Sequence, residues 1–323
     1  MIGRRQFLSL ASAGALAPFA ATVSRAQPAA QTPVRHLIFV HGRDQQGLDP
    51  AALKSSWLAA LQRGADSLHR QLPSSLDVSF PYYGDVLYRY ASAPDVPLTT
   101  DDIQARGEAN ADHKFLEFEA AVADQLRKGA GISDDAVDAE YGNEPAERSP
   151  QNWKWVQALV RVLDKYGGNT SGNFVETLMR DVYLYTTRTG VRNEIDALVA
   201  PSFTEAPAIV VAHSLGSVVA YNILRTRPVH VPLLVTVGCP LAIRAIRSQL
   251  APIAFPRPSV NSWSNAFDPR DIVALYPLDA TNFPVNPAIT NYSKVNNHTD
   301  NRHGIDGYLD DPTVAKWILD SLV

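Results

Sequence analysis

Ala208-Ile209-Val210-Val211-Ala212-His213-Ser214-Leu215-Gly216-Ser217-Val218-Val219-Ala220-Tyr221-Asn222-Ile223-Leu224 is the stretch that decides the architecture. Its first four residues form an apolar, largely β-branched run, which reads as a buried strand. From Ser217 to Leu224 the residues suit a helix. Between them lies Ser214, with Ala212 and Gly216 two positions to either side. A chain that passes from strand to helix in so few residues must turn sharply. Strand and helix crowd together at those two flanking positions, so only small side chains fit. The turn lifts one hydroxyl away from the sheet edge. It also leaves the amide of Leu215 at a helix N-terminus, where a backbone donor can hold developing negative charge. This is the pattern of a nucleophile elbow, with Ala212 standing where glycine is usual.

The chain on either side repeats the alternation of strand and helix. His36-Leu37-Ile38-Phe39-Val40 is a short apolar run closed by His41-Gly42. Pro50 to Leu72 has helical periodicity through Leu53, Trp57, Leu58, Leu61 and Leu68. Leu76 to Phe80 alternates and ends in the turn Pro81-Tyr82-Tyr83-Gly84-Asp85. Strand, helix and strand in this order predict a parallel sheet. Downstream, Val231–Val237 reads as a strand, Leu241–Leu250 as a helix, Val260–Phe267 as a strand of mixed polarity and Ala288–Val295 as the last strand. Pro312–Leu322 reads as a closing helix. The expected fold class is α/β, a mainly parallel sheet flanked by helices. From about Val86 to Thr170 the pattern changes to helices at Asp112–Lys128 and Trp153–Tyr166, joined by an acidic loop at Gly129–Pro150. This is expected to be a helical cap inserted between two strands. One further helix, Asn173–Ala200, should lead into the elbow strand.

With 323 residues, 46 % hydrophobic and 19 % charged, the chain is long enough for a substantial core. A net charge of −4 and a pI near 6.1, without any basic block, disfavour nucleic acid as a partner. The N-terminus carries Gly3-Arg4-Arg5-Gln6-Phe7-Leu8, an Ala-rich apolar stretch to about Val23, and small residues at Ser24-Arg25-Ala26. That pattern resembles a twin-arginine export signal cleaved after Ala26, which implies a periplasmic or secreted protein. The apolar run is too short and Ala-rich for a good membrane-spanning helix. Loss of residues 1–26 would remove three arginines and no acid, taking the charge from −4 to −7. Cys239 has no cysteine partner and reads as a small buried hydrophobe.

A serine hydroxyl needs a base to take its proton and a carboxylate to orient that base. In the α/β-hydrolase arrangement, which the elbow resembles, the chain order is serine, acid, histidine, so the resemblance implies a base that follows Ser214. His230 precedes the strand starting at Val231 and so lies at the wrong end of the sheet. His298 and His303 both lie after the last expected strand. His303 is preferred, because Gly304 allows a close turn there. For the acid, Asp268 and Asp271 share one loop. Asp268 precedes Pro269 and suits a turn. Asp271 leads into Ile272-Val273, whose burial would anchor it, and is preferred; Asp279 is more remote. The second oxyanion donor is expected at the end of the first strand, where lipases, which the pattern resembles, place it: the backbone amide of Arg43, with Gly42 permitting close approach.

These residues together resemble the α/β-hydrolase superfamily, in particular lipase-like and esterase-like serine hydrolases. The chain is also similar to a less characterised bacterial group in His41-Gly42-Arg43, Phe80-Pro81-Tyr82-Tyr83-Gly84-Asp85, Val237-Gly238-Cys239-Pro240-Leu241 and Gly307-Tyr308-Leu309. The resemblance covers about Pro33 to the C-terminus and implies an α/β-hydrolase fold over residues 27–323. It implies hydrolysis of a small-molecule or lipid carboxylic ester through an acyl-serine, with Ser214, His303 and Asp271 as triad. Leu215 and Arg43 would be the oxyanion donors, and no cofactor is needed. A thioesterase, amidase or acyltransferase would use the same machinery, and a binding protein could keep the fold without the chemistry.

His41, Gly42, Tyr82 and Tyr83 are candidates to line the substrate site, since they lie at the same sheet edge as Arg43; packing is the competing role. Trp153 and Trp155 suit packing of the insertion. Asp300, Asp306, Asp310 and Asp311 lack the regular ligand spacing of a calcium loop and read as a solvated acidic surface. No His/Cys cluster has zinc spacing, and no glycine pattern for phosphate or dinucleotide is present.

Overall fold

The computed structural model describes residues 34–142, 147–168 and 173–322. The expected export signal at residues 1–26 lies outside them. Among the described residues six strands form one sheet: β1 (His36–Val40), β2 (Asp77–Ser79), β3 (Ala208–His213), β4 (Val231–Val237), β5 (Val260–Ala266) and β6 (Thr290–Tyr292). Their order is β2-β1-β3-β4-β5-β6, and every pairing is parallel. From β1 the chain crosses to one side to make β2, then returns to the other side of β1 to make β3. The sheet therefore reverses direction between β1 and β3. In open α/β sheets the crevice beyond the carboxyl ends of such a strand pair is where ligands bind. Val40 pairs with Ala212, His213 with Val237, and Val237 with Ala266, so these strand ends share one edge.

Helices cover both faces. In chain order they are α1 (Pro50–Ser67), α2 (Gly84–Ala91), α3 (Thr100–Arg106), α4 (His113–Gly129), α5 (Asp134–Tyr141), α6 (Trp153–Tyr166), α7 (Phe174–Thr187), α8 (Thr189–Val199), α9 (Leu215–Leu224), α10 (Arg244–Gln249), α11 (Asp306–Leu309) and α12 (Pro312–Ser321). Successive strand residues point to opposite faces. Leu37, Phe39, Ile209 and Val211 pack with Trp57 and Leu61 of α1 and with Val314 and Ile318 of α12. Ile38, Val40, Val210 and Ala212 face the other way, into a core shared with α7, α8 and α9. Both faces of the central strands are buried, which explains their unbroken apolar runs. Among the described residues no helix is long and apolar enough to cross a membrane.

Several local expectations need correction. Gly129–Pro150 is not simply a loop, because α5 lies within it. Ser133 caps that helix by accepting the Ala136 N–H, and Asp134 and Asp135 sit in its first turn. The acidic composition that suggests a loop is here the favourable charge of a helix N-terminus. Asn173–Ala200 is two helices rather than one. Arg188 adopts an extended conformation between them (φ −96°, ψ 105°), and its guanidinium reaches the carboxylate and carbonyl of Asp95. Thr186 and Thr187 turn their hydroxyls back onto the carbonyls of Val182 and Tyr183, a contact that bends helices. Leu241–Leu250 begins as a 3-10 turn at Pro240–Ala242 before α10 forms. Helices α2 and α3 complete the layer between β2 and β3, which extends from Gly84 to Val199.

Candidate active site

Ser214 occupies the junction of β3 and α9 with φ 53° and ψ −128°. That is strained backbone for a residue with a side chain, as a sharp strand-to-helix turn requires. The neighbouring glycine explains why the turn can exist. A Cβ on Gly216 would lie 2.3 Å from the Val40 carbonyl oxygen and 2.4 Å from that of His41. Helix α9 therefore rests directly on the end of β1. Ser217 ties the turn further by donating from Oγ to the Ala212 carbonyl at 3.0 Å. Ala212 itself is fully buried and paired with Val40 and Thr236, so a methyl is accommodated on the strand side.

His303 meets both expected partners. Its Nε2 lies 2.8 Å from Ser214 Oγ, and its Nδ1 lies 2.8 Å from Asp271 Oδ2. An ionised carboxylate can only accept, so Nδ1 carries the proton and Nε2 presents its lone pair to the serine hydroxyl. Ser214 and Asp271 are almost wholly buried, and His303 is 5 % exposed. Gly238, with φ 56°, lets the His303 ring approach the end of β4; a Cβ there would come within 3.1 Å of that ring. The edge of Phe174, at the start of α7, meets the same ring with centroids 5.7 Å apart.

The two aspartates are sorted by geometry. Asp271 Oδ1 accepts the Val273 N–H at 2.9 Å, as expected from the buried Ile272-Val273 anchor. Asp268 is equally buried but holds the loops together. It accepts the N–H groups of Arg270 at 2.8 Å and Asn297 at 2.9 Å, with Arg270 and Arg302 nearby at 3.5 Å. His298 lies apart on the surface, bonded to Asp310 at 2.8 Å. Asp310 also faces Arg63, and Asp311 caps α12, so this acidic group is engaged in surface pairing and capping.

Next to Ser214, Leu215 is the first residue of α9, so its N–H has no partner four residues back. Gly42 approaches Ser214 closely: a Cβ on it would lie 2.9 Å from the serine Cβ. The Arg43 amide follows directly. The Arg43 side chain turns away towards α7, where it pairs with Asp181 at 2.9 Å and stands 5.9 Å above the Phe174 ring.

His41 and Tyr83 pack against one another beside the loop that follows β1. Both are fully buried and stacked, with centroids 4.0 Å apart. His41 Nδ1 reaches the Gly42 carbonyl, its Nε2 accepts the Tyr83 N–H, and the Tyr83 hydroxyl donates to the His41 carbonyl. Burial holds His41 at about 4, far below the usual histidine value. The pair is a rigid floor beneath Gly42. Tyr82 ties the same loop from outside, its hydroxyl lying 2.7 Å from the Gln45 carbonyl and 2.8 Å from Asp85. Cys239 is buried, which pushes its thiol up to about 12.

Tyr308 and His213 make polar contacts to Asp271 and His303 that a reading of spacing misses. Tyr308 donates from its hydroxyl to Asp271 Oδ2 at 2.5 Å, and His213 donates from Nε2 to the His303 carbonyl at 2.7 Å. His213 adjoins the nucleophile, and Tyr308 lies in the Gly307-Tyr308-Leu309 segment, but neither position announces its partner. Comparison of the chain with protein-family models, curated protein sequences and solved structures gives no match.

Proposed function

We propose that this chain is a serine hydrolase that cleaves carboxylic esters through an acyl-serine intermediate. One observation carries the reading: a single imidazole is hydrogen-bonded at the same time to a strained serine and to a buried carboxylate. His303 takes the Ser214 proton at Nε2 as Oγ attacks the ester carbonyl. The amides of Leu215 and Arg43 hold the resulting oxyanion. Collapse of the tetrahedral adduct expels the alcohol, which receives the proton from His303. Water then attacks the acyl-serine with His303 again as base, releasing the carboxylic acid and restoring Ser214. Asp271 keeps the imidazole in the required tautomer and stabilises its charged form. The chemistry uses only side chains and backbone amides of this chain.

A fluorophosphonate probe tests the proposal on the purified protein. Covalent labelling that disappears in Ser214→Ala, together with turnover of a simple acyl ester, is the expected result. An unlabelled wild-type protein, or undiminished labelling of Ser214→Ala, overturns it. The proposal includes export by the twin-arginine route. Replacing Arg4 and Arg5 by lysine should then hold the protein in the cytoplasm, as cell fractionation would read.

A further inference from the structure

Tyr308 is the residue at this site whose role the serine-hydrolase reading does not require. It lies in α11, its side chain is completely buried, and its hydroxyl is 2.5 Å from Asp271 Oδ2. That oxygen is also the one that accepts the imidazole N–H of His303. The tyrosine oxygen in turn accepts the Asp268 N–H at 3.4 Å, so it joins the two aspartates of the loop. Arg270 and Arg302 stand against Asp268, and the His213 ring on β3, which burial keeps well below the usual histidine range, packs against the His303 imidazole with centroids 4.8 Å apart. Asp271 is instead satisfied by dipoles: the Val273 amide on one oxygen, the tyrosine hydroxyl and the imidazole on the other.

We infer that Tyr308 is a positioning residue that limits how strongly Asp271 holds a proton on His303, and so keeps the base neutral at lower pH. The inference rests on the serine-hydrolase reading for its catalytic meaning. Its physical basis is competition for one oxygen. A donated hydroxyl stabilises the carboxylate and spreads its charge, which weakens the pull of that oxygen on the imidazolium. Remove the hydroxyl and the carboxylate turns its full charge to His303, whose protonated form gains stability. Burial and the adjoining Asp271 both hold the tyrosine well above the usual phenol range, so it stays a donor.

Tyr308→Phe keeps the ring, and Asp271 keeps its bonds to Val273 and His303. Leu309→Ala, in the same short helix and fully buried, perturbs packing without touching the hydroxyl. Two measurements are made on wild type and both variants between about pH 4 and 9: the rate of fluorophosphonate labelling of Ser214, and the titration of the His303 ring by NMR. In Tyr308→Phe the acidic limb of both profiles should move to higher pH, on the order of one unit, with labelling above that limb within a few-fold of wild type. Leu309→Ala should lower the thermal midpoint and leave the limb in place. A Tyr308→Phe limb that coincides with wild type, or an equal displacement in Leu309→Ala, overturns the inference. If wild type is not labelled, the hydrolase reading fails. The ring titration then still judges the electrostatic role: an upward shift supports it and an unmoved titration overturns it.

Discussion

The imidazole of His213 donates its Nε2 proton to the carbonyl oxygen of His303, 2.7 Å away. The residue before Ser214 thus holds the backbone of His303, 90 positions further along the chain. The His213 ring packs against Trp57, His303 and Tyr308. Burial, with the neighbouring His303, keeps it well below the usual histidine range, hence neutral and able to donate without adding charge beside His303. His213→Phe should preserve the packing and remove the tether. The unpaired carbonyl should cost about 1–3 kcal/mol, and Ser214 labelling should slow roughly tenfold as the base loses its fixed position. Chemical denaturation and labelling rates check the two effects. Unchanged values in both would show that the bond positions nothing.

Asp271 and Asp268 should separate cleanly. Asp271→Asn should leave His303 in the wrong tautomer and cut turnover by up to about ten-thousand-fold at near-normal stability. Asp268→Asn should act chiefly on stability, by about 1–3 kcal/mol, since it weakens the hold on Asn297 and Arg270. Turnover and thermal midpoint of the two purified variants decide the matter. Catalytic collapse at Asp268 with normal turnover at Asp271 would reverse the roles.

His303→Ala should lose about three orders of magnitude or more in turnover. His298→Ala breaks only a surface contact to Asp310 and should stay within a few-fold of wild type. Steady-state assays of the pair are sufficient, and the opposite ranking would move the base to His298.

Stability should depend on pH through buried groups that play no part in the proposed chemistry. Burial lowers His41 to about 4 from an ordinary value of 6.5. Its contribution is complete above about 6.5 and is lost as pH falls towards 4. Glu119 moves the other way. Burial first, and Glu176 opposite it, raise it well above the usual carboxylate range. That contribution is complete below about 4.5 and is lost as pH rises. Glu119→Gln supplies a neutral side chain of the same shape, with an N–H to offer Glu176. Its thermal midpoint should exceed that of wild type more at pH 8 than at pH 5. An equal difference at both values would remove Glu119 from the pH response.

Two glycines should respond in opposite senses to alanine. Gly216→Ala drives a methyl into the carbonyls at the end of β1 and should destabilise by more than about 2 kcal/mol while slowing Ser214 labelling. Gly190, exposed in α8 with nothing within 4 Å of an added Cβ, should gain up to about 1 kcal/mol. Denaturation midpoints read both. A neutral Gly216→Ala would mean that β1 and α9 can part without cost.

What the sequence determined by itself is whatever local chemistry dictates. Apolar runs longer than a turn and bounded by polar residues became β1, β3 and β4, because both faces of a central parallel strand are buried. Small residues around Ser214 imposed the elbow, because no other side chains fit between strand and helix. The chain order of the hydrolases this protein resembles left His230, His298 and His303 as candidate bases, and the place of His230 before a strand set it aside; Asp268 and Asp271 led the candidate acids, with Asp279 more remote. The tertiary structure decided the rest. Spacing alone could not choose between Asp268 and Asp271, which lie three residues apart on one loop; the fold turns one to the Asn297 amide and the other to His303. Nor could it show that His41 and Tyr83 bond each other beneath Gly42, or that Tyr308 reaches an aspartate 37 positions earlier. Such contacts are made between side chains brought together by the sheet. A hydroxyl or imidazole has the same local pattern whatever it meets, so its partner is a property of the packed chain alone.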